Sequence, residues 1–391
     1  MQPTNPWLSR YAKLLVGATF CLIFLGGMVT TLGAGLSVPD WPTSYGYNMF
    51  TFPIDRWVGG ALFEHTHRLW ASAVGMMTMV LVAWIWRNRW AVPVALLVCV
   101  MVTGAVAIAL PHVPGLEGEA QKHLRGLIIM HVNIWSFAAA FAVLLLTTEK
   151  DRWRYGQPWL QWLGFGAFLL VCVQGTLGGL RVTEASIVLA MIHACTAQVF
   201  LCLTVVMAAA LSPRWENFRS GSSIAGGGVG AVKALAWTFV AVVFGQLMIG
   251  AVVRHLRAGL AIPTFPLAFG QWIPPMINER VAIHFAHRVG AVAVVVTLAL
   301  LMGALIAAGR RNPGLAWTGA GLLLLVAVQI ALGAGIILSG REPILTSLHV
   351  VNGAAVLSTG VLLAIRATRL AMPAEPSAEG LEKPRYEEAH A

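Results

Sequence analysis

Long apolar runs, separated by short polar segments, recur along the whole chain. Most are close to the 20 or so residues that an α-helix needs to cross a hydrocarbon core roughly 30 Å thick. The pattern predicts ten transmembrane helices, near residues 14–32, 62–86, 92–110, 126–148, 159–178, 187–211, 233–253, 281–308, 314–338 and 345–368. The first run ends in Gly-rich sequence with no Ala-x-Ala cleavage site, which favours a permanent span over a signal peptide.

Composition agrees with an integral membrane protein. The 391 residues are 58% hydrophobic and 11% charged, whereas an ordinary soluble domain carries about 25% charged residues. The net charge of +10 does not indicate nucleic-acid binding, because the basic residues are divided among short loops. Their excess on alternate loops predicts that both termini are cytoplasmic. The five cysteines lie in predicted helices, so neither a disulfide nor a thiolate metal site is expected.

The chain contains an internal repeat. GAGLSVPDWP, which begins at Gly33, aligns without a gap with RAGLAIPTFP, which begins at Arg257. Farther along, QGTLGG at 174–179 matches QIALGA at 329–334. The prolines shared by the segments that begin at Gly33 and Arg257 predict ordered outer loops that fold over their bundles as lids. Each half is therefore expected to contain four equivalent helices.

The repeat divides the chain into segments. These are a cytoplasmic N-terminus (1–13), an N-terminal bundle (14–211), a flexible cytoplasmic linker (212–232), a C-terminal bundle (233–370) and a disordered cytoplasmic tail (371–391). A helical hairpin at 92–148 is inserted into the N-terminal bundle and resembles a diverged copy of the helix pair that follows it. The predicted fold is an all-α polytopic membrane protein with two pseudo-repeated four-helix bundles and this added hairpin.

Ionisable side chains stand at the mouths of two of the apolar runs. The segments are EHTHR at 64–68 and HFAHR at 284–288. Positions i, i+3 and i+4 share a helix face, so the first, fourth and fifth residues of each segment form one stripe. Because ionisable groups are costly inside a membrane, a functional role is expected for both stripes.

Four histidines are placed to bind haem. They lie one to two turns inside helices that enter from the outer face, two in each half: His67, His193, His287 and His349. Two facing imidazoles per half are the arrangement that axial ligation of a haem iron needs. Hydrogen-bonded packing is the alternative for a single histidine, but the repetition in both halves disfavours it. Zinc and copper sites are disfavoured, because zinc prefers four convergent ligands and copper prefers Met or Cys beside the histidines. His131 of the hairpin is expected to ligate nothing.

Arginines near the same face are candidates to bind the haem propionates. Arg68 and Arg288 lie at helix mouths directly after candidate ligands, and Arg181 and Arg254 are expected in the outer loops. Guanidinium groups pair well with carboxylates. Snorkelling at the membrane interface is the alternative, and it is the role expected for Arg341.

The two halves differ at one informative position. The first half has Glu64 where the second has His284. A carboxylate beside a bound tetrapyrrole can act as a base or stabilise a developing cation, which predicts that the first half reacts and the second carries electrons. A structural ion pair between Glu64 and Arg68 is the alternative.

Taken together, these motifs resemble the haem A synthase family of cytochrome oxidase assembly proteins. The resemblance rests on Glu-x-x-His-Arg at 64–68, the GLSVPDWP loop, QGTLGG, the helix of His193 and their second-half partners. It covers about 14–210 and 233–368, without the hairpin. It implies an oxidoreductase acting on a CH group, which converts the C8 methyl of haem O to the formyl of haem A in a bacterial cell membrane.

The resemblance also implies where the ligands bind. Haem O would lie between His67 and His193, haem B would serve as cofactor between His287 and His349, and Glu64 would be the essential carboxylate. Haem O synthase and cytochrome oxidase subunit I are the implied protein partners, while the oligomeric state is not determined. The chain departs from typical members of the family in having ten predicted spans rather than eight, and it lacks the cysteine pair that some relatives carry in the first outer loop.

Two other functions use the same histidines. One is a non-catalytic di-haem membrane cytochrome that transfers electrons, in which Glu64 is incidental. The other is an oxidase assembly factor that binds haem without transforming it. A haem prenyltransferase is disfavoured, because the chain has no paired Asp-rich motif to hold a magnesium diphosphate.

Overall fold

The computed structural model describes residues 5–86, 91–110, 113–116, 158–213, 215, 228–308 and 313–371, and part of the segment 124–142. Within these residues the named α-helices are α1 (Pro6–Thr31), α2 (Gly59–Ile85), α3 (Ala91–Ala109), α4 (Pro158–Thr183), α5 (Ile187–Ala210), α6 (Gly228–His255), α7 (Glu279–Ala307), α8 (Pro313–Leu338) and α9 (Pro343–Leu370). Two short 3₁₀ turns, Met49–Thr51 and Ile54–Arg56, lie between α1 and α2. The described part of the chain contains no β-strand.

Eight of these helices are long and apolar enough to cross a membrane, namely all except α3. The prediction of an all-α polytopic membrane protein is therefore confirmed. The predicted span at 92–110 corresponds to α3, of which Val94–Val106 forms a shorter apolar stretch. The predicted span at 126–148 lies mostly outside the described residues.

The spanning helices pack as two four-helix bundles. α1, α2, α4 and α5 form the N-terminal bundle, around buried side chains that include Leu15, Leu81 and Met207. α6, α7, α8 and α9 form the C-terminal bundle around Phe239 and Leu301. The bundles meet where α1 contacts α9, where α5 contacts α6, and where α5 contacts α9. Exchanging α1 with α6 and α5 with α9 reproduces this set of contacts, so the interface has the self-complementary pattern of an approximate two-fold relation.

The inserted region lies beside the N-terminal bundle. α3 packs on α2 and α4 through a cluster that contains Trp86, Leu96 and Phe168. The described residues between 124 and 142 are helical. One of them, Ile129, is buried in a small cluster against Trp41 of the loop that follows α1. The insertion therefore adds helices around one bundle and leaves the paired arrangement of the two bundles intact.

Several helix ends differ from the sequence prediction. α1 begins at Pro6, because Asn5 caps it by accepting the backbone N–H of Trp7 and proline suits the first turn. α6 begins at Gly228, so residues 228–232, which were expected in the linker, are helical. The rest of the predicted linker lies mostly outside the described residues, as does the predicted tail from residue 372 onwards.

Candidate functional site

Two loops of the same design cover one end of each bundle. We call residues 32–58 the first lid and residues 256–278 the second lid. Both contain a cis X–Pro bond, a residue with positive φ followed by a glycine with positive φ, and a tight antiparallel bridge. The corresponding residues are Trp41–Pro42 and Phe265–Pro266, Tyr45–Gly46 and Phe269–Gly270, and Ser44–Tyr47 and Ala268–Gln271. The sequence repeat is thus reproduced in the backbone conformation.

Asp40 organises the turn of the first lid. Its carboxylate accepts the backbone N–H groups of Tyr45 at 2.7 Å and Gly46 at 2.8 Å, and the hydroxyl of Thr43 at 2.5 Å. In the second lid the hydroxyl of Thr264 takes this place. Burial raises the pKa of Asp40, but the hydrogen bonds outweigh it and hold the pKa below the ordinary value.

This pKa shift predicts a pH dependence of the first lid. Because the pKa of Asp40 is lower in the folded state, its contribution to stability is present above about pH 4 and is lost as the pH falls through the folded pKa. Hydrogen exchange of the Tyr45 and Gly46 amides, corrected for intrinsic rates, should therefore quicken below about pH 4. Asp40→Asn should be less protected at neutral pH and show no such change. Equal protection in both proteins across this range would contradict the assignment.

Glu64 and Arg68 join the start of α2 to the first lid. The Glu64 side chain is buried, accepts the backbone N–H of Val38 at 2.9 Å and pairs with Arg68 at 2.9 Å. The guanidinium of Arg68 also donates to the carbonyls of Val38 at 2.8 Å, Asp40 at 2.7 Å and Thr43 at 3.1 Å. The structural ion pair considered as an alternative for Glu64 is therefore present. The catalytic role of Glu64 stays a prediction.

In the C-terminal bundle the same connection forms without a carboxylate. Nδ1 of His284 accepts the backbone N–H of Ile262 at 3.2 Å, as Glu64 accepts that of Val38. Arg288 donates to the carbonyls of Ile262 at 3.1 Å and Thr264 at 2.6 Å. Arg68 thus anchors the first lid and Arg288 the second. The predicted contacts of these arginines with haem propionates would have to use the same guanidinium N–H groups. The Nε of Arg288 is buried without a hydrogen-bond partner.

Each of the four candidate histidine ligands lies with its ring over a glycine of a neighbouring helix. A Cβ added to these glycines would lie 3.0 to 3.3 Å from the histidine Cε1 atom, which is tighter than ordinary van der Waals contact. The pairs are Gly26 with His67, Gly178 with His193, Gly250 with His287, and Gly333 with His349. Glycine therefore allows every ring to approach the facing backbone closely.

His287 and His349 face each other inside the C-terminal bundle. Their ring centroids are 6.4 Å apart, with 63° between the ring planes. Two metal–nitrogen bonds of about 2 Å each, with about 1 Å more from each nitrogen to its ring centre, place the centroids of two axial imidazoles about 6 Å apart. The observed spacing fits this value. In the N-terminal bundle His67 and His193 lie within electrostatic reach of each other.

Each of these histidines has a protein hydrogen-bond partner at its ring: the backbone of Leu22 for His67, the backbone of Gln174 for His193, and the side-chain amides of Gln246 and Gln329 for His287 and His349. Nδ1 of His67, His193 and His349 is buried and has no hydrogen-bond partner. Such an atom costs about 1–3 kcal/mol, which favours a ligand at this place. In the described part of the chain no three His, Cys, Asp or Glu side chains converge as a bare metal ion would require. Each pair offers two nitrogen donors, and these residues fit a haem.

Positive charge is concentrated where the two bundles meet. Arg254 of α6 donates to the carbonyl of Gly27 and, at 2.9 Å, to the hydroxyl of Thr31, both on α1. Arg341, expected to snorkel, donates instead to the Thr31 carbonyl at 3.3 Å and lies within electrostatic reach of Arg254. Arg181 donates to a first-lid carbonyl at 2.7 Å. The structure therefore brings Arg181 and Arg254 to the region between the two histidine pairs.

Comparison with known proteins assigns the chain to a family. A family model described as cytochrome oxidase assembly protein (COX15-CtaA) matches residues 124–361, more than half of the chain. The chain belongs to this family. The match includes His193, His287 and His349 and begins after Glu64 and His67. The recognition made from the sequence motifs is confirmed.

Three relatives to which the chain is similar are each named "Heme A synthase". The chain is 24% identical to "Heme A synthase" of Halalkalibacterium halodurans over 337 residues, which cover 84% of this chain and 86% of the relative. It is 31% identical to "Heme A synthase" of Symbiobacterium thermophilum over 209 residues, 52% of this chain and 66% of the relative. It is 22% identical to "Heme A synthase" of Shouchella clausii over 336 residues, which cover 85% of this chain and 87% of the relative.

The sequence analysis did not predict some of the residues that lie near the histidines and arginines of the site. Gly26 and Gly250 lie under histidine rings, Gln246 contacts the ring of His287, and His255 lies within electrostatic reach of Arg181. Gln246 could have been noticed as a lone amide in an apolar helix. The glycines carry no such signal, because glycine is common in membrane helices.

His131 lies apart from these contacts. Its ring is exposed, and Nδ1 is 2.8 Å from the carbonyl of Leu127 on the same helical turn. It lines a mostly apolar cavity with Leu124 and Trp135. That His131 ligates nothing stays a prediction, which is tested below.

Proposed function

We propose that this protein is a haem A synthase, which oxidises the C8 methyl group of haem O to the formyl group of haem A. The observation that carries the proposal is the matched pair of histidines in each bundle, every ring lying over a glycine. Relatives named "Heme A synthase" that align over more than four fifths of the chain support it. Haem O is the substrate, and His67 and His193 would bind it in the N-terminal bundle.

The C-terminal bundle would hold haem B as cofactor. His287 and His349 are the candidate axial ligands, and their centroid spacing of 6.4 Å supports this role. When bound there, the haem iron supplies one-electron redox chemistry. The glycines at 250 and 333 leave room for the rings.

Arg181 and Arg254 would bind the propionates. Both guanidinium groups are partly buried near the junction of the bundles, and Nε of Arg254 has no hydrogen-bond partner. A buried cation without an anion is costly, so carboxylates of a bound haem would stabilise this region. Arg68 and Arg288 would contribute less, because they already hold the lids.

Glu64 distinguishes the reacting bundle from the other. Its carboxylate is fixed by the N–H of Val38 and by Arg68, and it lies within electrostatic reach of Arg181. Two electrons and a proton would first have to leave the methyl group, the electrons passing one at a time through the haem B of the C-terminal bundle to an external acceptor. Glu64 would then accept the proton of a water molecule that attacks this carbon, or its negative charge would stabilise the positive charge that develops there. His284 offers no such negative charge in the C-terminal bundle.

The proposed activity also implies a location and partners. Most of the Lys and Arg residues fall in the sequence segments that are expected on the cytoplasmic side, which would place the lids on the outer side of a bacterial cell membrane and both termini in the cytoplasm. Haem O synthase would supply the substrate, and cytochrome oxidase subunit I would receive the product.

Production of haem A in a suitable host tests the proposal. A bacterial strain that makes haem O and has no haem A synthase of its own would express this chain, and its membranes would be extracted for haem. Haem A should appear with the chain and be absent from the empty vector control. Membranes that contain the folded protein and only haem O would contradict the synthase activity and favour a haem-binding assembly factor.

A further inference from the structure

The histidines of the C-terminal bundle each have a glutamine amide against the ring. The amide nitrogen of Gln246, on α6, lies 3.1 Å from Nδ1 of His287 and donates to the His287 carbonyl at 2.7 Å. The amide nitrogen of Gln329, on α8, lies 3.1 Å from Nε2 of His349 and donates to the His349 carbonyl at 3.1 Å. Asn352 in turn donates to the amide oxygen of Gln329 at 2.7 Å. A side-chain amide therefore contacts one ring nitrogen of each histidine.

The N-terminal bundle is built differently at these positions. Gln174 corresponds to Gln329 in the repeat, but its amide nitrogen is directed to the Thr196 hydroxyl at 2.6 Å and the His193 carbonyl at 3.2 Å. Leu22 occupies the position of Gln246, and the ring of His67 hydrogen-bonds to the backbone carbonyl of Leu22 rather than to a side-chain amide.

A second difference accompanies the first. A Cβ added to Gly290 would lie 2.0 Å from the amide oxygen of Gln246 and 3.0 Å from its amide carbon, so this glycine leaves the space that the amide occupies. The equivalent position in the N-terminal bundle is Trp70, whose indole N–H donates to the carbonyl of Ala18 at 2.8 Å. The C-terminal bundle thus combines glutamine with glycine, whereas the N-terminal bundle combines leucine with tryptophan.

The Gln246 amide is itself placed at a cost. Its oxygen is buried without a hydrogen-bond partner, and such an atom costs about 1–3 kcal/mol in an apolar surrounding. A primary amide can present either its nitrogen or its oxygen to a neighbour. When Nε2 of a histidine binds a metal, Nδ1 carries the proton, and an amide oxygen beside it is a suitable acceptor. The amide nitrogen faces Nδ1 here, so a turn of the amide that gives up its bond to the His287 carbonyl would bring the unpartnered oxygen to a metal-bound His287.

We propose that Gln246 is a positioning residue that fixes the ring of His287 and so helps the C-terminal bundle to retain its haem. This inference rests on the proposed haem sites. A hydrogen bond to the second nitrogen of a metal-bound histidine sets the ring orientation, and its loss costs about 10–100-fold in metal affinity.

The test measures how fast each haem leaves the purified, haem-loaded protein. Haem is transferred to an excess of apomyoglobin, and the haem types lost over time are identified by mass. Gln246→Leu introduces the residue of the N-terminal bundle, and Gly290→Ala displaces the Gln246 amide without changing a glutamine or a histidine. Both variants should lose haem B about 10–100-fold faster than the wild type, with the loss of haem O or haem A unchanged.

Gly303→Ala is the matched control. It changes a glycine of the same helix, α7, and an added Cβ there meets nothing within 4 Å. It should retain haem B as the wild type does. The low-spin electron paramagnetic resonance signal of haem B, which reports the angle between the axial imidazole planes, should shift in Gln246→Leu and Gly290→Ala and stay unchanged in Gly303→Ala.

Two negative results separate the inference from the function on which it rests. If Gln246→Leu and Gly290→Ala both keep the wild-type rate of haem B loss and the wild-type signal, the positioning role is overturned and the haem sites stand. If haem B content is the same in the wild type and in a His287→Ala variant, His287 is not a ligand. That result overturns both the proposed cofactor site and the positioning role.

Discussion

Replacing Glu64 by Gln should stop the formation of haem A while leaving haem O bound to the protein. The amide oxygen of glutamine can still accept the N–H of Val38, but the amide NH2 group cannot accept from Arg68, and glutamine carries no negative charge and takes up no proton. Loss of a positioned acid–base group typically slows a reaction by about 10²–10⁴-fold. The measurement is the amount of haem A per protein in membranes of the host described above, with haem O accumulating in the variant.

The structural role of Glu64 requires its own control. Hydrogen exchange of the Val38 amide reports whether the first lid still closes on α2 in the Glu64→Gln protein. A protected amide together with lost haem A formation assigns the carboxylate to the reaction. Undiminished haem A formation would show that Glu64 serves only to hold the lid.

His287→Ala and His349→Ala should each abolish stable binding of haem B. Each variant leaves one nitrogen donor in a pair whose spacing fits two axial ligands, and the remaining histidine then faces a vacant position on the iron. Haem B content, determined by extraction and mass analysis, should fall to near zero, and the low-spin signal should disappear. A His287→Ala protein that keeps low-spin haem B would contradict the pairing.

His131→Ala is the control for these two variants. His131 is exposed, and its Nδ1 lies against the carbonyl of its own helical turn. The variant should therefore keep every haem of the wild type. Loss of a haem in His131→Ala would show that the inserted hairpin supplies a ligand and would overturn the four-histidine assignment.

The fold and the histidine pairs were accessible from the sequence for physical reasons. Membrane helices need long apolar runs, and these fix the spans within a few residues at most ends. The histidines could be singled out because polar side chains are rare in such runs. Because the second half repeats the first, His287 supported the prediction that His67 is a ligand. The lids were foreseen from the shared prolines, and the structure shows that they are built alike.

The contacts that join distant segments were not accessible in the same way. The pairing of Glu64 with Val38, and the use of Arg68 as an anchor for three carbonyls, depend on how the first lid folds back. The roles of Gln246 and Gly290 depend on which helix lies opposite and at what rotation. Apolar periodicity leaves that rotation open when a helix is apolar all round, as α8 is.

The central claim is that one bundle binds a haem that reacts and the other binds a haem that stays. It is tested most directly by mass analysis of the haems in purified wild-type, His193→Ala and His349→Ala proteins after expression with a source of haem O. The wild type should hold haem B together with haem O or haem A, His193→Ala should lack only haem O and haem A, and His349→Ala should lack only haem B. A wild type that holds two haem B molecules and neither haem O nor haem A would contradict the account and identify a di-haem cytochrome.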